Sequence, residues 1–203
     1  MITIVDYGMG NLGSVLNMFK KVGAESKISS DLDEISRAEK ILLPGVGAFD
    51  TAMQRIQDAG MQEVLNQKAL VEKVPVLGIC LGMQLLTNSS EEGVLPGLGW
   101  IGGSALSFKG RIDETLRIPH MGWNVAHIER KNAVTIGYNG ETRFYFVHSY
   151  FVKVADRSNS MMQSTYGLPF DSAIVKDNIF GAQFHPEKSH KFGMKFFENF
   201  AKI

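Results

Sequence analysis

The single cysteine of the chain, Cys80, stands between two glycines in the pattern Gly78-Ile-Cys-Leu-Gly82. An apolar run precedes it, and Met83-Gln-Leu-Leu86 follows with helical character. This is the cysteine form of a nucleophile elbow, a strained strand-to-helix turn that only small neighbours can accommodate. A helix N-terminus there favours the thiolate, and the N–H of Leu81 would face the oxyanion formed on attack. The alternative interpretation is a small, buried and unreactive cysteine.

A nucleophilic thiol needs a base, and the base needs a group that orients it. Among the five histidines, His185 is the best candidate, because Glu187 follows two residues later and the two side chains would face one way in an extended segment. Pro186 between them disfavours helix at His185. Taken alone, His-Pro-Glu could equally be a surface turn. Together with the elbow it favours a Cys80–His185–Glu187 triad.

The other four histidines are weaker candidates for the base. We expect His127 and His190 to be surface groups. His120 and His148 lie in aromatic-rich segments, and we expect them to line a site without acid–base work.

The elements that must position these groups change character along the chain. In the first half, short apolar runs alternate with helical patterns, which indicates a parallel sheet; strands are predicted at 2–5, 26–29, 40–43 and 75–79. In the second half, strands are predicted at 100–108, 124–128, 143–154, 160–166 and 170–184, with a hairpin turn at 176–178. A closing helix carries a phenylalanine stripe that we interpret as core packing. The fold class is therefore α/β, with a mostly parallel central sheet, helices on both faces and an antiparallel β extension.

Composition narrows the classes of function. The chain has 203 residues, 44% of them apolar, and its formal net charge is zero. We expect one domain over residues 1–203, and neither nucleic acid nor a membrane as partner. The N-terminus lacks the pattern of a signal peptide, so a cytoplasmic location is expected. A single cysteine excludes an internal disulfide and a cysteine-rich zinc site.

Several motifs in the same order resemble those of the class I (triad) glutamine amidotransferases. Within that class, the chain is most similar to the glutaminase subunit of imidazole glycerol phosphate synthase. The matching segments are Asp6–Asn11, Pro44–Phe49, Gly78–Gln84, Ser89–Gly93, Pro96–Gly99, Pro119–Asn124, Tyr145–Tyr150 and Gln183–Ser189. The segment 100–108 departs from the family pattern, since the basic residue common around Ser104 is absent.

The resemblance implies a reaction and its site. Cys80 would attack the side-chain amide of L-glutamine, His185 would protonate the departing ammonia, and Glu187 would orient His185; no metal or organic cofactor is implied. It also implies an oxyanion hole formed by the N–H of Leu81 and the turn that contains Val46 and Gly47. The glutamine-binding residues carried over from the family are Gly47, Gln84, His148, Ser149 and Tyr150.

The resemblance further implies a (β/α)₈-barrel cyclase subunit as heterodimer partner, which would use the ammonia in histidine biosynthesis. Asn11 and residues 119–123 are candidates for the docking face. Three alternatives stay open: a paralogous glutaminase that serves a surface-sugar amidine pathway, a stand-alone cysteine hydrolase, and a silent regulatory subunit. The last predicts loss of a triad residue, and all three are present.

Overall fold

The computed structural model describes residues 1–203. Its largest feature is an 11-stranded mixed sheet, to which both halves of the chain contribute strands. In chain order the elements are β1 (Ile2–Val5), α1 (Leu12–Lys21), β2 (Ser26–Ser29), α2 (Leu32–Ser36), β3 (Lys40–Gly45), α3 (Phe49–Asp58), α4 (Met61–Asn66), a π-helical turn (Gln67–Val71), β4 (Val76–Cys80), α5 (Leu81–Leu85), β5 (Ser89–Ser90), β6 (Gly103–Ser107), β7 (His120–Val125), β8 (His127–Ile128), β9 (Arg143–His148), β10 (Tyr150–Val154), β11 (Ser160–Tyr166), β12 (Leu168–Lys176), β13 (Ile179–Ala182) and α6 (His190–Ala201). Short 3₁₀ turns lie at Ala133–Thr135, Arg157–Asn159 and Pro186–Lys188.

The strand order in the large sheet is β2-β1-β3-β4-β13-β12-β10-β6-β5, with β11 pairing to β12 and β8 to β11. The five strands from β2 to β13 are parallel neighbours, and the sheet continues as antiparallel pairs through β12, β10 and β6. Strands β7 and β9 form a separate antiparallel pair. The predicted fold class is confirmed.

Two apolar cores cover the two faces of the sheet. Alternate residues of one strand enter different cores, as Leu42 and Leu43 of β3 do, because successive side chains point to opposite faces. Helices α1 and α6 cover one face, and α3 and α4 cover the other. Phe196, Phe197 and Phe200 of α6 are core residues, as predicted, and Phe192 is partly buried against them. None of the helices has the length and apolar character needed to cross a bilayer.

The predicted single strand 143–154 is wrong, because the chain divides at Ser149 into β9 and β10, which belong to different sheets. The two halves pair with different partners: β9 with β7, and β10 with β6 and β12. A continuous apolar and aromatic run carries no signal for such a change of sheet. The division exposes the backbone of residues 147–150 beside the elbow.

Other boundaries also differ from prediction, such as that of strand 100–108, which is limited to β6, Gly103–Ser107. The run 124–128 is two strands, of which β7 begins earlier, at His120. The apolar pattern of residues 64–71 indicates a helix, and the structure has the end of α4 followed by the π-helical turn there. The short helix α2 was not predicted, although Asp31 marks its start by accepting a hydrogen bond from the N–H of Glu34 at 2.8 Å.

Candidate active site

The elbow at Cys80 has the strained backbone expected of a nucleophile turn, with φ 54° and ψ −110°. It joins the carboxyl end of β4 directly to the first residue of α5. Side chains are excluded on both sides of the cysteine. A Cβ at Gly78 would lie 2.6 Å from the Gly82 carbonyl oxygen, and a Cβ at Gly82 would lie 1.9 Å from the Leu43 carbonyl oxygen. Both glycines are therefore steric requirements of the turn, as predicted.

The base and its orienting group follow β13. Nδ1 of His185 lies 2.8 Å from Oε1 of Glu187, and both side chains are 3% exposed. The sequence predicts an extended segment here, but only His185 is extended, and Pro186 begins a 3₁₀ turn. Proline suits the first position of such a turn. The turn brings Glu187 back to the imidazole, so the predicted pair forms by a different local geometry.

The backbone of His185 is tied to β9. Its N–H donates to the Tyr145 carbonyl at 2.9 Å, and its carbonyl accepts from Oγ of Ser189 at 2.6 Å. The same Oγ accepts from the N–H of Tyr145 at 3.0 Å. Ser189 is fully buried, so these bonds are shielded from water. The only sequence signal for this role is the position of Ser189 at the end of a matching motif.

The electrostatics of the pair favour a charged imidazole. Burial alone would lower the pKa of His185, but the neighbouring Cys80 sulfur and the Glu187 carboxylate outweigh burial and raise this pKa to about 10. Nε2 of His185 is buried and makes no hydrogen bond. A buried, unpaired ring nitrogen beside a thiol is suited to transferring a proton between the sulfur and a substrate.

A cavity of about 440 Å³ opens beside the sulfur, within the usual size range of small-molecule sites. It is lined by nearly all of the predicted site residues, namely Val46, Gly47, Cys80, Leu81, Gln84, His148, Ser149, Tyr150 and His185. Glu187 does not line the cavity and reaches it through His185. The structure therefore brings the predicted triad and the predicted binding residues to one place.

Three further residues line the cavity, and none was predicted to be functional there. Glu92 contributes a carboxylate whose Oε2 also accepts from the N–H of Phe49 at 2.9 Å, Val147 lies in β9, and Pro119 is exposed. Glu92 belongs to the matching segment Ser89–Gly93, which was the available signal. Nothing in its spacing from Cys80 could have indicated that the two residues meet.

The turn after β3 packs against the elbow. The hydroxyl of Tyr7 donates to the Pro44 carbonyl, and a Cβ at Gly45 would lie 2.7 Å from that hydroxyl and 2.9 Å from the Gly82 nitrogen. Burial raises the pKa of Tyr7, and the nearby Cys80 adds to the effect. Gly47 has φ 115°, a conformation that side chains rarely adopt. The start of this turn is therefore fixed by the contacts of Pro44 and Gly45, while Gly47 gives the backbone freedom further along.

Outside the cavity, His127 and His190 are exposed, as predicted, and His120 is buried behind His148. Trp123 is 47% exposed, which favours a surface role over core packing. Met121 is also exposed, because alternate residues of β7 point outward while His120 points inward. Both follow Pro119, which lines the cavity, by a few residues along the chain.

Comparison with known proteins identifies the family of the chain. Residues 3–203 match the family described as Glutamine amidotransferase class-I. A protein from Methanococcus maripaludis named imidazole glycerol phosphate synthase subunit HisH 2 is 52% identical over 100% of this chain and 99% of its own length. A Pseudomonas aeruginosa protein of the same name is 47% identical, with both chains fully covered.

Solved structures show the same fold at low sequence identity. A crystal structure of a glutamine amidotransferase superposes with a TM-score of 0.75 at 15% identity, with both chains fully covered. That of PurLQS from Thermotoga maritima gives 0.73 at 19% identity, covering 99% of this chain and 97% of the other. The chain therefore belongs to the class I glutamine amidotransferases, and within them to the HisH family of imidazole glycerol phosphate synthase subunits.

Proposed function

We propose that this chain hydrolyses L-glutamine at Cys80 and delivers the ammonia to a cyclase subunit for histidine biosynthesis. The observation that carries the proposal is the meeting of the elbow thiol, the unpaired Nε2 of His185 and the His185–Glu187 hydrogen bond at one cavity. A reactive thiol of this kind needs a reducing setting, so a cytoplasmic location belongs to the proposal.

In the proposed reaction the Cys80 thiolate attacks the amide carbon of glutamine. His185, charged through its raised pKa, gives its Nε2 proton to the departing nitrogen, and ammonia leaves behind a glutamyl thioester. His185, now neutral, takes a proton from water as that water attacks the thioester. Glutamate is released and the thiolate–imidazolium pair is restored. Glu187 holds the ring through Nδ1 throughout, so that Nε2 stays directed at the reaction.

Two backbone N–H groups are proposed to bind the oxyanion. One is that of Leu81, immediately after the nucleophile, and the other belongs to the turn that contains Val46 and Gly47. Removal of one such donor costs about 3–4 kcal/mol in other enzymes, so reorientation of one peptide is enough to switch activity. A Val46→Pro variant has no N–H at that position. Full partner-stimulated activity in this variant would contradict a role for the Val46 N–H.

The cavity offers complementary groups for the two ends of glutamine. Both hydrogens of Gln84 Nε2 are used inside the chain, on the Tyr150 carbonyl at 3.3 Å and on Gln183 Oε1 at 3.2 Å. Gln84 therefore presents Oε1, an acceptor, to a ligand. With the Glu92 carboxylate, it suits an α-ammonium group. We propose that backbone groups of His148, Ser149 and Tyr150 hold the α-carboxylate end.

A partner is proposed because free ammonia released into water at neutral pH becomes ammonium and is no longer a nucleophile. The exposed apolar side chains of Met121 and Trp123, close along the chain to Pro119 of the cavity lining, suit a docking face that encloses the exit. Asn11, which is exposed and caps α1, remains a candidate contact. A (β/α)₈-barrel cyclase is the proposed occupant.

The decisive experiment measures glutamate release from glutamine by the chain alone, with the cyclase, and with the cyclase plus its nucleotide ligand. Strong stimulation by both supports the proposal, whereas robust partner-free hydrolysis of other amides favours a stand-alone hydrolase. In the complex, Cys80→Ala should abolish glutamine-dependent synthesis and spare synthesis from ammonium salts. Loss of both activities would argue against a role limited to ammonia supply. A complex that forms only with a surface-sugar amidine synthase would favour the paralogous pathway.

A further inference from the structure

Two buried glutamine side chains connect the Cys80 sulfur to the strand beside the cavity. Nε2 of Gln183 lies 3.7 Å from Sγ of Cys80, and Oε1 of Gln183 lies 3.2 Å from Nε2 of Gln84. Nε2 of Gln84 also lies 3.3 Å from the Tyr150 carbonyl oxygen. Gln183 is fully buried and Gln84 nearly so. The sulfur is thus the end of a continuous chain of hydrogen bonds.

The polarity of this chain follows from its fixed acceptor. The Tyr150 carbonyl can only accept, so the Gln84 atom beside it must be the amide nitrogen. The second hydrogen of that nitrogen then donates to Gln183 Oε1. Gln183 must therefore present its NH₂ group to Cys80, and it can only donate to the sulfur. Reversing one amide would leave a buried clash between two like groups.

A pair of buried histidines fixes the other side of the same carbonyl. Nδ1 of His148 lies 2.7 Å from the Tyr150 oxygen and must carry the ring proton, which leaves Nε2 to accept from Nδ1 of His120 at 2.9 Å. Nε2 of His120 then accepts from Nδ2 of Asn124 at 3.3 Å. Burial lowers the pKa of His120 to about 4 and that of His148 to about 3, so both rings are neutral near pH 7. Neutral rings fit these contacts, because a charged His148 would oppose its Nε2–H to the Nδ1–H of His120, and a charged His120 would oppose its Nε2–H to the Asn124 amide hydrogens.

Two contacts of the Cys80 sulfur favour different protonation states, one the thiol and the other the thiolate. The Val147 carbonyl, 3.9 Å away, can accept only from a protonated thiol. The Gln183 N–H favours the thiolate, since a donor stabilises a developing negative charge. The titratable groups that face the sulfur from other elements are Tyr7 after β1 and His185 after β13, with Glu92 on the cavity wall. Gln183 is the uncharged side chain that donates to it.

We propose that Gln183 is a catalytic residue that holds the Cys80 thiolate by a hydrogen bond, and that Gln84 is a positioning residue that fixes the direction of this donor. His148 and His120 are positioning residues that hold the Tyr150 carbonyl to which Gln84 donates. The proposal rests on the proposed role of Cys80 as nucleophile. It assigns the buried neutral histidines a task at the thiol, although neither ring takes part in proton transfer.

Because Cys80 is the one cysteine of the chain, its alkylation by iodoacetamide reports on a single thiol. The pH dependence of the alkylation rate is measured for the wild type, Gln183→Leu, which removes the donor, and Gln183→Glu, which keeps the shape and replaces the donor by a carboxylate. The midpoint should rise by about one pH unit in Gln183→Leu and further in Gln183→Glu. With the cyclase bound, kcat should fall about tenfold or more while KM for glutamine changes less.

Asn199→Leu is the matched control. Asn199 is also a buried amide, but it donates to the Val134 and Ile136 carbonyls, away from the cavity. It should lower stability and leave the alkylation midpoint unchanged. His120→Phe should raise the midpoint, and His120→Asn, which can still donate to His148, should largely restore it. Folded Gln183 variants with wild-type midpoints would overturn the proposal.

If the Gln183 variants do not fold, the wild type supplies the test. The side-chain amide resonances of Gln183 should titrate with the thiol and shift on its alkylation, and resonances insensitive to both would refute the contact. Alkylation requires no turnover, so this result is independent of whether Cys80 hydrolyses glutamine. Retention of glutaminase activity in Cys80→Ala would instead refute the proposed function.

Discussion

Removal of the Ser189 hydroxyl should weaken both the fold and the base. The Tyr145 carbonyl accepts from the His185 N–H, and the Tyr145 N–H donates to Ser189 Oγ. Both backbone groups of Tyr145 therefore point away from β7 and do not pair with it. In Ser189→Ala this N–H is buried and unpaired, which costs about 1–3 kcal/mol, and the bond to the His185 carbonyl is lost as well. That carbonyl still accepts from Lys188 N–H at 3.0 Å, which limits the second loss. We expect about 2–3 kcal/mol in total.

For a chain of this size, such a loss lowers Tm by roughly 5–10 °C. Thermal and urea unfolding of the isolated chain measure the loss, and kcat with the cyclase bound should fall about tenfold, because His185 loses a backbone anchor. Ser36→Ala is the control, since Ser36 Oγ also donates to a backbone carbonyl, at 2.8 Å, but is exposed. It should change stability by less than about 0.5 kcal/mol. A Ser189→Ala protein that melts within about 1 °C of the wild type would refute this reasoning.

Three further predictions concern the same region. Gly193→Ala would place a Cβ 1.7 Å from the Pro186 carbonyl oxygen, so the free energy of unfolding should fall by about 1–3 kcal/mol and kcat should also fall. Gly13→Ala, on an open helix face, should instead stabilise the chain by up to about 1 kcal/mol. Urea titrations in which both variants change stability in the same direction would contradict the packing argument. Cys80→Gly should be inactive but at least as stable as Cys80→Ala, because the positive φ at this position strains alanine and not glycine. If the alanine variant were the more stable by over about 1 kcal/mol, the turn would be unstrained. The raised pKa of His185 predicts that its contribution to stability is fully present below pH 6.5 and is lost as pH rises through about 10. Glutaminase activity should be lost over the same range. A loss of activity centred near about pH 7 would mean that the His185 imidazolium is not stabilised as the structure indicates.

The sequence was sufficient for the local chemistry of the site. The two glycines around Cys80 predict the turn, and the family resemblance and the glutaminase assignment are confirmed by the comparisons. The role of each triad residue stays a prediction until variants are measured. The local geometry after His185 was predicted less well, because Pro186 is compatible with both an extended segment and a 3₁₀ turn, and the choice depends on the Tyr145 and Ser189 contacts.

Long-range features were beyond the reach of local patterns. The division at Ser149 depends on which strands are available on either side, and the sequence of 143–154 contains no turn residue strong enough to indicate it. Glu92 and Gln183 show the same limit. Each lies in a segment that matches the family, but its residue type and spacing do not indicate a contact at the site, and each acquires its place only when separate segments converge on Cys80.

That convergence has one topological cause. Strand β13 returns beside β4 in parallel, with Ala182 opposite Ile79. In this register the next residue, Gln183, comes opposite Cys80, and His185 leaves the same edge of the sheet as the elbow. Because the carboxyl ends of parallel strands meet at one edge, the donor, the base and the nucleophile are brought together by a single pairing. A shift of one residue in that pairing would turn Gln183 to the opposite face and separate all three, so the β4–β13 register is the structural condition on which the chemistry depends.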